Sequence, residues 1–253
     1  MMAAGMDVFR SHFSAYQEQY ILIGGMACDL LLNEAGERFR PTKDVDMVLI
    51  VEALTTEFAE AFWDFIEAGG YEARLRSSGK PEFYRFVNPK QPDYPVMIEL
   101  FARPGNNVNL PAAGHLTPLH IDDDISSLSA ILLNEAYYRF LLGGKTSADG
   151  VSVLDAEHLV PMKMKAWLDL TEKSTQGIHV NERDLRKHRQ DVFRLYPLIR
   201  EDILIPTPEE ICNDVKKFVD KIRAMPFDPG RIGLNINKDH VLDVYGRLYV
   251  PEG

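Results

Sequence analysis

Two aspartates stand at the head of an apolar run in the stretch TKDVDMVLIV, residues 42–51. Asp44 and Asp46 bracket Val45, and the residues after Asp46 carry no polar side chain. The run predicts a buried strand, and because side chains alternate along a strand, both aspartates are expected on one face. Carboxylates about 7 Å apart along a strand repel each other unless a cation or a proton neutralises them. The stretch therefore predicts a site for a small hard cation such as Mg²⁺, with an N-cap or a solvated strand end as the alternative.

A pair of glycines, Gly24-Gly25, follows the apolar segment YILI, which we predict to be a short buried strand. The pattern after it predicts a helix from about Met26 to a C-cap at Gly36. Glycines between a strand and a helix let the backbone approach a ligand, and the helix N-terminus presents N–H groups to an anion. Glycine also serves turn geometry alone, so both interpretations stay open at this point.

A single acid, Glu99, interrupts the apolar stretch PVMIELF. A carboxylate inside a buried strand needs a counter-charge or a hydrogen-bonding partner. Either a metal ion shared with Asp44 and Asp46, or a salt bridge to an arginine such as Arg103, would supply that partner.

The order of the predicted elements indicates an α+β protein, in which a mixed sheet with flanking helices is followed by a C-terminal helical domain. Strand patterns dominate residues 1–150, with helices predicted at 6–18 and 53–70. YEARLRS and PEFYRFVN alternate as half-buried antiparallel strands do. The segments 114–121 and 128–142 look extended or mixed.

Three helical patterns in series characterise residues 151–253, and Asn181 and Thr207 are the candidate N-caps of the second and third. The loop GGKTSADG at 143–150 separates these helices from the strand-rich part. We therefore predict one domain over 1–150 and a second, helical domain over 151–253.

Composition narrows the classes of function. The chain carries 28 Lys and Arg against 38 Asp and Glu, a formal net charge of −10, which argues against coating of duplex DNA but leaves a local basic groove open. No apolar stretch approaches the roughly 18 residues of a membrane span, and no signal peptide is evident. We expect a cytoplasmic protein without a membrane partner, in which Cys28 and Cys212 are reduced thiols.

The histidines, cysteines and serines lack the spacing that a zinc site or a serine nucleophile requires. The histidines and cysteines show no zinc-ligand pattern, and no Gly-x-Ser-x-Gly turn is present. The acidic run Asp122–Asp124 is interpreted as a loop, because three consecutive residues cannot all face one metal ion.

A glycine turn after a first strand, an Asp-x-Asp strand and a third acid on a later strand together resemble the nucleotidyltransferase superfamily related to polymerase β. The resemblance implies that Asp44 and Asp46 ligate the metal ions, Mg²⁺ or Mn²⁺, that carry the triphosphate of an NTP. It implies that Glu99 ligates the ion near the attacking hydroxyl and helps to take its proton.

The same resemblance assigns the nucleotide-binding turn. Gly24 and Gly25 would hold the β- and γ-phosphates, with Lys43 counted among the nucleotide-binding residues. Many members have Gly-Ser at this turn, whereas this chain has Gly25-Met26 and lacks the serine hydroxyl.

Two helical stretches, HLVPMKMKAWLDL and LRKHRQDVFRL, resemble motifs of the AbiEii-like nucleotidyltransferases, the toxin halves of abortive-infection systems. The resemblance implies catalytic roles for Lys163 and Asp191, and nucleotide contacts for Lys163, Lys165 and Lys187. Lys165 competes with Lys163 for the first role. A lysine reaching over the acids would offset charge on the triphosphate, and a solvated helix face is the alternative.

The predicted activity is transfer of a nucleoside monophosphate from ATP, GTP, CTP or another NTP, with release of pyrophosphate. The acceptor is an RNA end, a protein side chain or a small hydroxylated compound, and a cognate antitoxin regulator is the partner that the toxin resemblance implies. One alternative is an antibiotic-modifying adenylyltransferase with an acidic pocket for a cationic substrate. Another is a nucleotide- or partner-binding protein that keeps the fold without the chemistry.

Overall fold

The computed structural model describes residues 5–75, 81–101, 131 and 134–252. Arg103, the segment 114–121 and the run Asp122–Asp124 lie outside these residues. The described residues form two compact units. The first comprises the described residues before 102 together with Lys145–Asp155, and the second comprises the described residues of 125–144 and of 156–253.

A seven-stranded mixed sheet is the centre of the described part of the first unit. Its strands in chain order are β1 (Tyr20–Ile23), β2 (Asp44–Leu49), β3 (Glu72–Leu75), β4 (Pro81–Val87), β5 (Met97–Phe101), β6 (Lys145–Ala148) and β7 (Val151–Leu154). In space they are arranged β3-β4-β5-β2-β1-β7-β6. β2 is parallel to β5 and β1 is parallel to β7, while the other neighbours are antiparallel. The predicted mixed sheet is confirmed, and the apolar run of the opening stretch is its central strand.

Aromatic side chains join two helices of the first unit, α1 (Met6–Phe13) and α3 (Thr56–Gly69), to each other and to the sheet. The ring centroids of Phe13 and Phe65 lie 5.1 Å apart. Those of Phe13 and Tyr20, which is on β1, lie 6.2 Å apart with nearly perpendicular rings. Tilted and edge-to-face pairs at these distances stabilise a core beyond the area they bury. A further helix of this unit, α2 (Gly24–Glu34), follows β1 directly.

Helices dominate the second unit: α4 (Glu135–Gly143), α5 (Ala156–Thr175), α6 (Glu182–Arg194), α7 (Glu209–Arg223) and α8 (Lys238–Leu248). A small parallel pair, β8 (Ile205–Thr207) and β9 (Tyr249–Pro251), accompanies them. Asn181 caps α6 as predicted, since its side-chain oxygen accepts a hydrogen bond from the backbone N–H of Arg183 at 2.9 Å. Of the helices in the described ranges, none is long and apolar enough to cross a membrane.

Two sequence assignments around residue 145 differ from the structure. The described residues after 133, expected to be extended or mixed, form helix α4, because Asn134 caps its first turn by accepting hydrogen bonds from two backbone N–H groups. The loop predicted at 143–150 is largely the hairpin β6–β7, with Asp149 and Gly150 at positive φ in its turn. Because β7 pairs with β1, this hairpin belongs to the sheet of the first unit. All described residues after Asp155 belong to the second unit.

The predicted N-cap at Thr207 is wrong. Thr207 is the buried last residue of β8, and its hydroxyl donates a hydrogen bond to the carbonyl of Ile205 at 2.8 Å. Pro208 is the N-cap residue of α7 instead, without a side-chain hydrogen bond. Two helix boundaries also differ, since α2 begins at Gly24 rather than near Met26, and α1 ends at Phe13 before a 3₁₀ turn.

Candidate functional site

Asp44 and Asp46 lie at the start of the central strand β2, where both keep partial exposure while Val45 between them is buried. The parallel pairing of β2 with β5 sets Asp46 opposite Glu99 and Asp44 opposite Met97. Residues opposite each other in neighbouring strands point to the same face, about 4.8 Å apart. The backbone therefore places the three acids on one face of the sheet, on two adjacent strands.

Glu99 is buried and has a cation beside it. The antiparallel pairing of β4 with β5 sets Arg85 opposite Glu99, on the side away from Asp46. Arg85 Nε donates a hydrogen bond to Glu99 Oε1 within an ion pair. The side chain of Arg85 is 25% exposed and that of Glu99 is 10% exposed, so this pair is largely shielded from solvent. The arginine partner of this acid therefore comes from the neighbouring strand.

The three acids match the donor chemistry of a divalent-ion site. Carboxylate oxygens are the ligands that Mg²⁺ and Mn²⁺ prefer, and strand register brings three carboxylate-bearing residues to one face. Among the described residues, however, no group of three or more His, Cys, Asp or Glu side chains is arranged to hold a metal ion. The residue types and their placement on the strands thus fit a divalent-ion site. In the observed side-chain conformation, however, Glu99 forms an ion pair with Arg85.

The turn at Gly24 lies directly against one of these carboxylates. β1 pairs with β2 so that Ile23 stands opposite Asp46, and Gly24 then takes a positive φ of 70°. A Cβ on Gly24 would overlap Oδ2 of Asp46 and would stand 2.8 Å from its Cγ. Only glycine allows this contact, because it combines the left-handed backbone with the absence of a side chain. The bend from β1 into α2 is therefore part of the surroundings of Asp46.

Two polar side chains lie beside the second glycine of the turn. Where a Cβ on Gly25 would stand, Thr42 Oγ1 is 2.9 Å away and Arg40 Nη2 is 3.3 Å away. Both side chains are half-buried. No sequence motif singles out Arg40 or Thr42. The available signal is position, since RPTKD leads straight into the first aspartate.

The electrostatics of this turn include a further buried acid, Asp29 of α2, which sequence analysis did not single out. Burial raises the pKa of its carboxyl, while a hydrogen bond from Asn33 and the positive charge of Arg40 lower it. Lys43, predicted to contact a nucleotide, is exposed next to Asp44, and its carbonyl accepts a hydrogen bond from the N–H of Val96 at 3.1 Å.

In the second unit, Lys163 and Asp191 form a buried ion pair. Lys163 Nζ lies 3.0 Å from Asp191 Oδ2, and the two side chains are 2% and 0% exposed. The pair joins α5 to α6, so the two helical stretches named from the sequence contact each other through these residues. For Lys163 and Asp191 a solvated helix face is excluded by this burial, and their predicted catalytic roles stay predictions.

Lys165 belongs to a different polar cluster. Its Nζ lies 3.2 Å from Asp169 and 3.4 Å from the buried Asp214. Burial lowers the pKa of this lysine, but the two carboxylates together outweigh burial, so the pKa is raised. Tyr137 of α4 donates its hydroxyl to Asp214 at 3.1 Å, and burial beside that carboxylate raises the pKa of the tyrosine well above its usual range. Lys187 is half-buried on α6. The nucleotide contacts predicted for Lys165 and Lys187 likewise stay predictions.

Comparison of this chain with models of known protein families, with curated proteins and with solved structures finds no match. The chemistry open to the site follows from its own residues. Asp46, Glu99 and Arg85 form a row across the neighbouring strands β2, β5 and β4. The glycine turn at the N-terminus of α2 lies beside Asp46.

Proposed function

We propose that this chain is a metal-dependent nucleotidyltransferase that moves a nucleoside monophosphate from an NTP to an acceptor with release of pyrophosphate. One observation carries the proposal: Asp46 stands in register with Glu99 and on the same face as Asp44, while the Gly24 bend abuts the carboxylate of Asp46. A phosphate chain held at the bend would therefore lie beside three oxygen-donating acids.

The proposed roles follow from the chemistry of each group. Bound Mg²⁺ or Mn²⁺ would supply charge neutralisation and alignment for an in-line displacement at the α-phosphate. Asp44 and Asp46 would hold the ion that carries the triphosphate. Glu99, once released from Arg85, would complete the metal site with the two aspartates next to the acceptor hydroxyl, and it would help to take the proton of that hydroxyl.

The N-terminus of α2 would bind the phosphates of the NTP. The backbone N–H groups from Gly24 onward have no partners within the helix's first turn, and they present partial positive charge to an anion. The guanidinium of Arg40 and the hydroxyl of Thr42 lie beside Gly25, so both can donate to the same phosphate. Thr42 thereby offers a hydroxyl in a turn that lacks the serine of many nucleotidyltransferases.

The acceptor stays open between an RNA end, a protein side chain and a small hydroxylated compound. A toxin role beside a cognate antitoxin, or modification of a cationic antibiotic, would use the same acids and the same bend. A non-catalytic nucleotide- or partner-binding protein is the second candidate function. The Arg85–Glu99 ion pair favours it, because a carboxylate that keeps its arginine is not available to a metal ion or to a proton.

Magnesium-dependent NTP binding, measured by calorimetry, tests the proposal. The variant Asp44→Asn plus Asp46→Asn should lose that binding, because neutral amides bind Mg²⁺ far more weakly than carboxylates do. Glu57→Gln plus Glu60→Gln removes two exposed charges from α3 of the same unit and should bind as the unchanged protein does. Binding that is indifferent to Mg²⁺ and to both aspartates would contradict a metal-dependent role.

Incubation with each labelled NTP and with extracts of RNA, protein and metabolites separates the two candidates. The transferase is expected to label one acceptor fraction and to release pyrophosphate, and the aspartate variant is expected to do neither. Magnesium-dependent binding without transfer to any fraction would support the non-catalytic protein.

A further inference from the structure

Arg85, Glu99 and Asp46 occupy one row across three neighbouring strands. Arg85 on β4 is the register partner of Glu99 on β5, and Glu99 is the register partner of Asp46 on β2. With strands about 4.8 Å apart, Glu99 stands between a cation on one side and an acid on the other. Its flexible side chain can reach toward either neighbour.

Burial makes the partner of Glu99 obligatory. Its side chain is only 10% exposed, and an ionised carboxylate in such a place requires a compensating cation or hydrogen bonds. The guanidinium of Arg85 meets that need with a charge-assisted hydrogen bond from Nε to Oε1. In this conformation the acids on the described part of the sheet are not gathered into a metal-binding group.

We propose that Arg85 is a built-in competitor of the divalent ion: it neutralises Glu99 in the metal-free protein and must release that carboxylate before all three acids can share an ion. The inference rests on the proposed metal-dependent function and adds its regulation. Arg85 stabilises the metal-free state, so its charge weakens metal binding, and the strength of the Arg85–Glu99 pair sets the metal concentration at which the site fills.

Titration of the whole chain with Mn²⁺ alone, without nucleotide, tests this role. Arg85→Ala removes the competing cation and should bind Mn²⁺ about tenfold more tightly than the unchanged protein, because the metal-free state then lacks one charge-assisted hydrogen bond. The variant should also melt at a lower temperature without metal, because Glu99 is then buried without its cation, and Mn²⁺ should raise its melting temperature more than it raises that of the unchanged protein.

Arg10→Ala is the matched control. Arg10 lies in the same unit, its side chain is 24% exposed, and it pairs with Asp149 and Asp7. Its replacement should lower the melting temperature without metal and should leave both the Mn²⁺ affinity and the Mn²⁺-induced rise unchanged. Arg85→Gln keeps an amide donor near Glu99 without the charge, so it should also tighten Mn²⁺ binding, and it carries the test should Arg85→Ala not fold.

Asp46→Asn separates the inference from the proposed function. Mn²⁺ binding that disappears in Asp46→Asn but is equal or weaker in the Arg85 variants would overturn the role of Arg85 alone. Mn²⁺ binding that is the same in Asp46→Asn and in the unchanged protein would overturn the proposed metal site, and with it the competition. Tighter binding in both Arg85 variants, absent in Arg10→Ala and dependent on Asp46, is the expected result.

Discussion

The carboxylate of Asp46 fills the space that a side chain on residue 24 would need, since a Cβ on Gly24 would overlap its Oδ2. The two residues lie on strand and turn elements that are joined by the antiparallel pairing of β1 with β2. The position of one proposed metal ligand therefore depends on the backbone of the proposed phosphate-holding bend. The free energy of unfolding of glycine variants tests this dependence.

Gly24→Ala should destabilise the protein far more than Gly36→Ala. Both glycines have positive φ, 70° and 79°, but nothing lies within 4 Å of a Cβ on Gly36. The left-handed backbone alone costs alanine about 1 kcal/mol, and the overlap with Asp46 should add about 2 kcal/mol at Gly24. Urea unfolding of the two variants measures the difference. Equal destabilisation would mean that Asp46 moves aside freely and does not define the bend.

The buried pair of Lys163 and Asp191 should behave as a unit. Lys163→Met alone or Asp191→Val alone should lower the free energy of unfolding by about 3–5 kcal/mol, because each leaves a buried charge uncompensated. The double variant should recover much of that stability, since it removes both charges together. Denaturant unfolding of the full cycle measures the coupling.

An exposed pair in the same unit provides the comparison. Arg139 and Glu135 lie 3.7 Å apart with side chains 66% and 49% exposed, so Arg139→Ala should cost under about 0.5 kcal/mol. Single effects at Lys163 and Asp191 that simply add in the double variant would show that the two charges are compensated by other groups.

Asp29→Asn should become more stable relative to the unchanged protein as pH rises. Burial raises the pKa of Asp29 in the folded state, so the folded protein holds this proton to higher pH than the unfolded chain does. Asp29 therefore contributes most to stability below the ordinary carboxyl pKa, and that contribution is lost as pH rises through the raised value. The asparagine variant does not titrate and should gain relative stability across this window.

Unfolding at about pH 4 and pH 7 checks the sign, the lower value being near the ordinary aspartate pKa. Asp64→Asn, at an exposed position on α3, gives the baseline pH dependence of an aspartate substitution in the same unit. A relative stability of Asp29→Asn that is flat between the two pH values would show that Arg40 and Asn33 balance burial, and one that falls would show that they outweigh it.

Thr42→Val should weaken binding of magnesium-NTP about tenfold, because a hydrogen bond to a charged group contributes about 1.5 kcal/mol at the low end of its range. Mn²⁺ binding without nucleotide should be unchanged. The reason is that the Thr42 hydroxyl lies beside Gly25, at the proposed phosphate-holding bend. Thr42→Ser keeps the hydroxyl and should bind as the unchanged protein does. Equal weakening in both variants would contradict a hydrogen bond from the Thr42 hydroxyl to the phosphate, because Thr42→Ser retains that hydroxyl.

Local patterns in the sequence were sufficient for the elements whose signals lie within a few residues. The strand Tyr20–Ile23 was predicted with its bounds, and Asn181 was predicted to cap α6, because apolar runs and capping side chains act over one or two turns. The same local logic failed at Thr207, where β8 pairs with β9, a strand far along the chain, and takes the residue into a sheet. It also fails at the hairpin β6–β7, because the glycines and polar residues of this segment are typical of a loop as well.

The order of residues was enough to place Asp44 and Asp46 on one face of a strand, since alternation is a property of the strand alone. The sequence proposed either a shared metal ion or an arginine as the partner of Glu99, and only the folded chain identifies the actual neighbours: Glu99 stands beside Asp46, Arg85 neutralises Glu99, and Gly24 abuts Asp46. These contacts depend on the register between separate strands. Register is set by how whole strands and their covering helices pack, and no short stretch of residues encodes it.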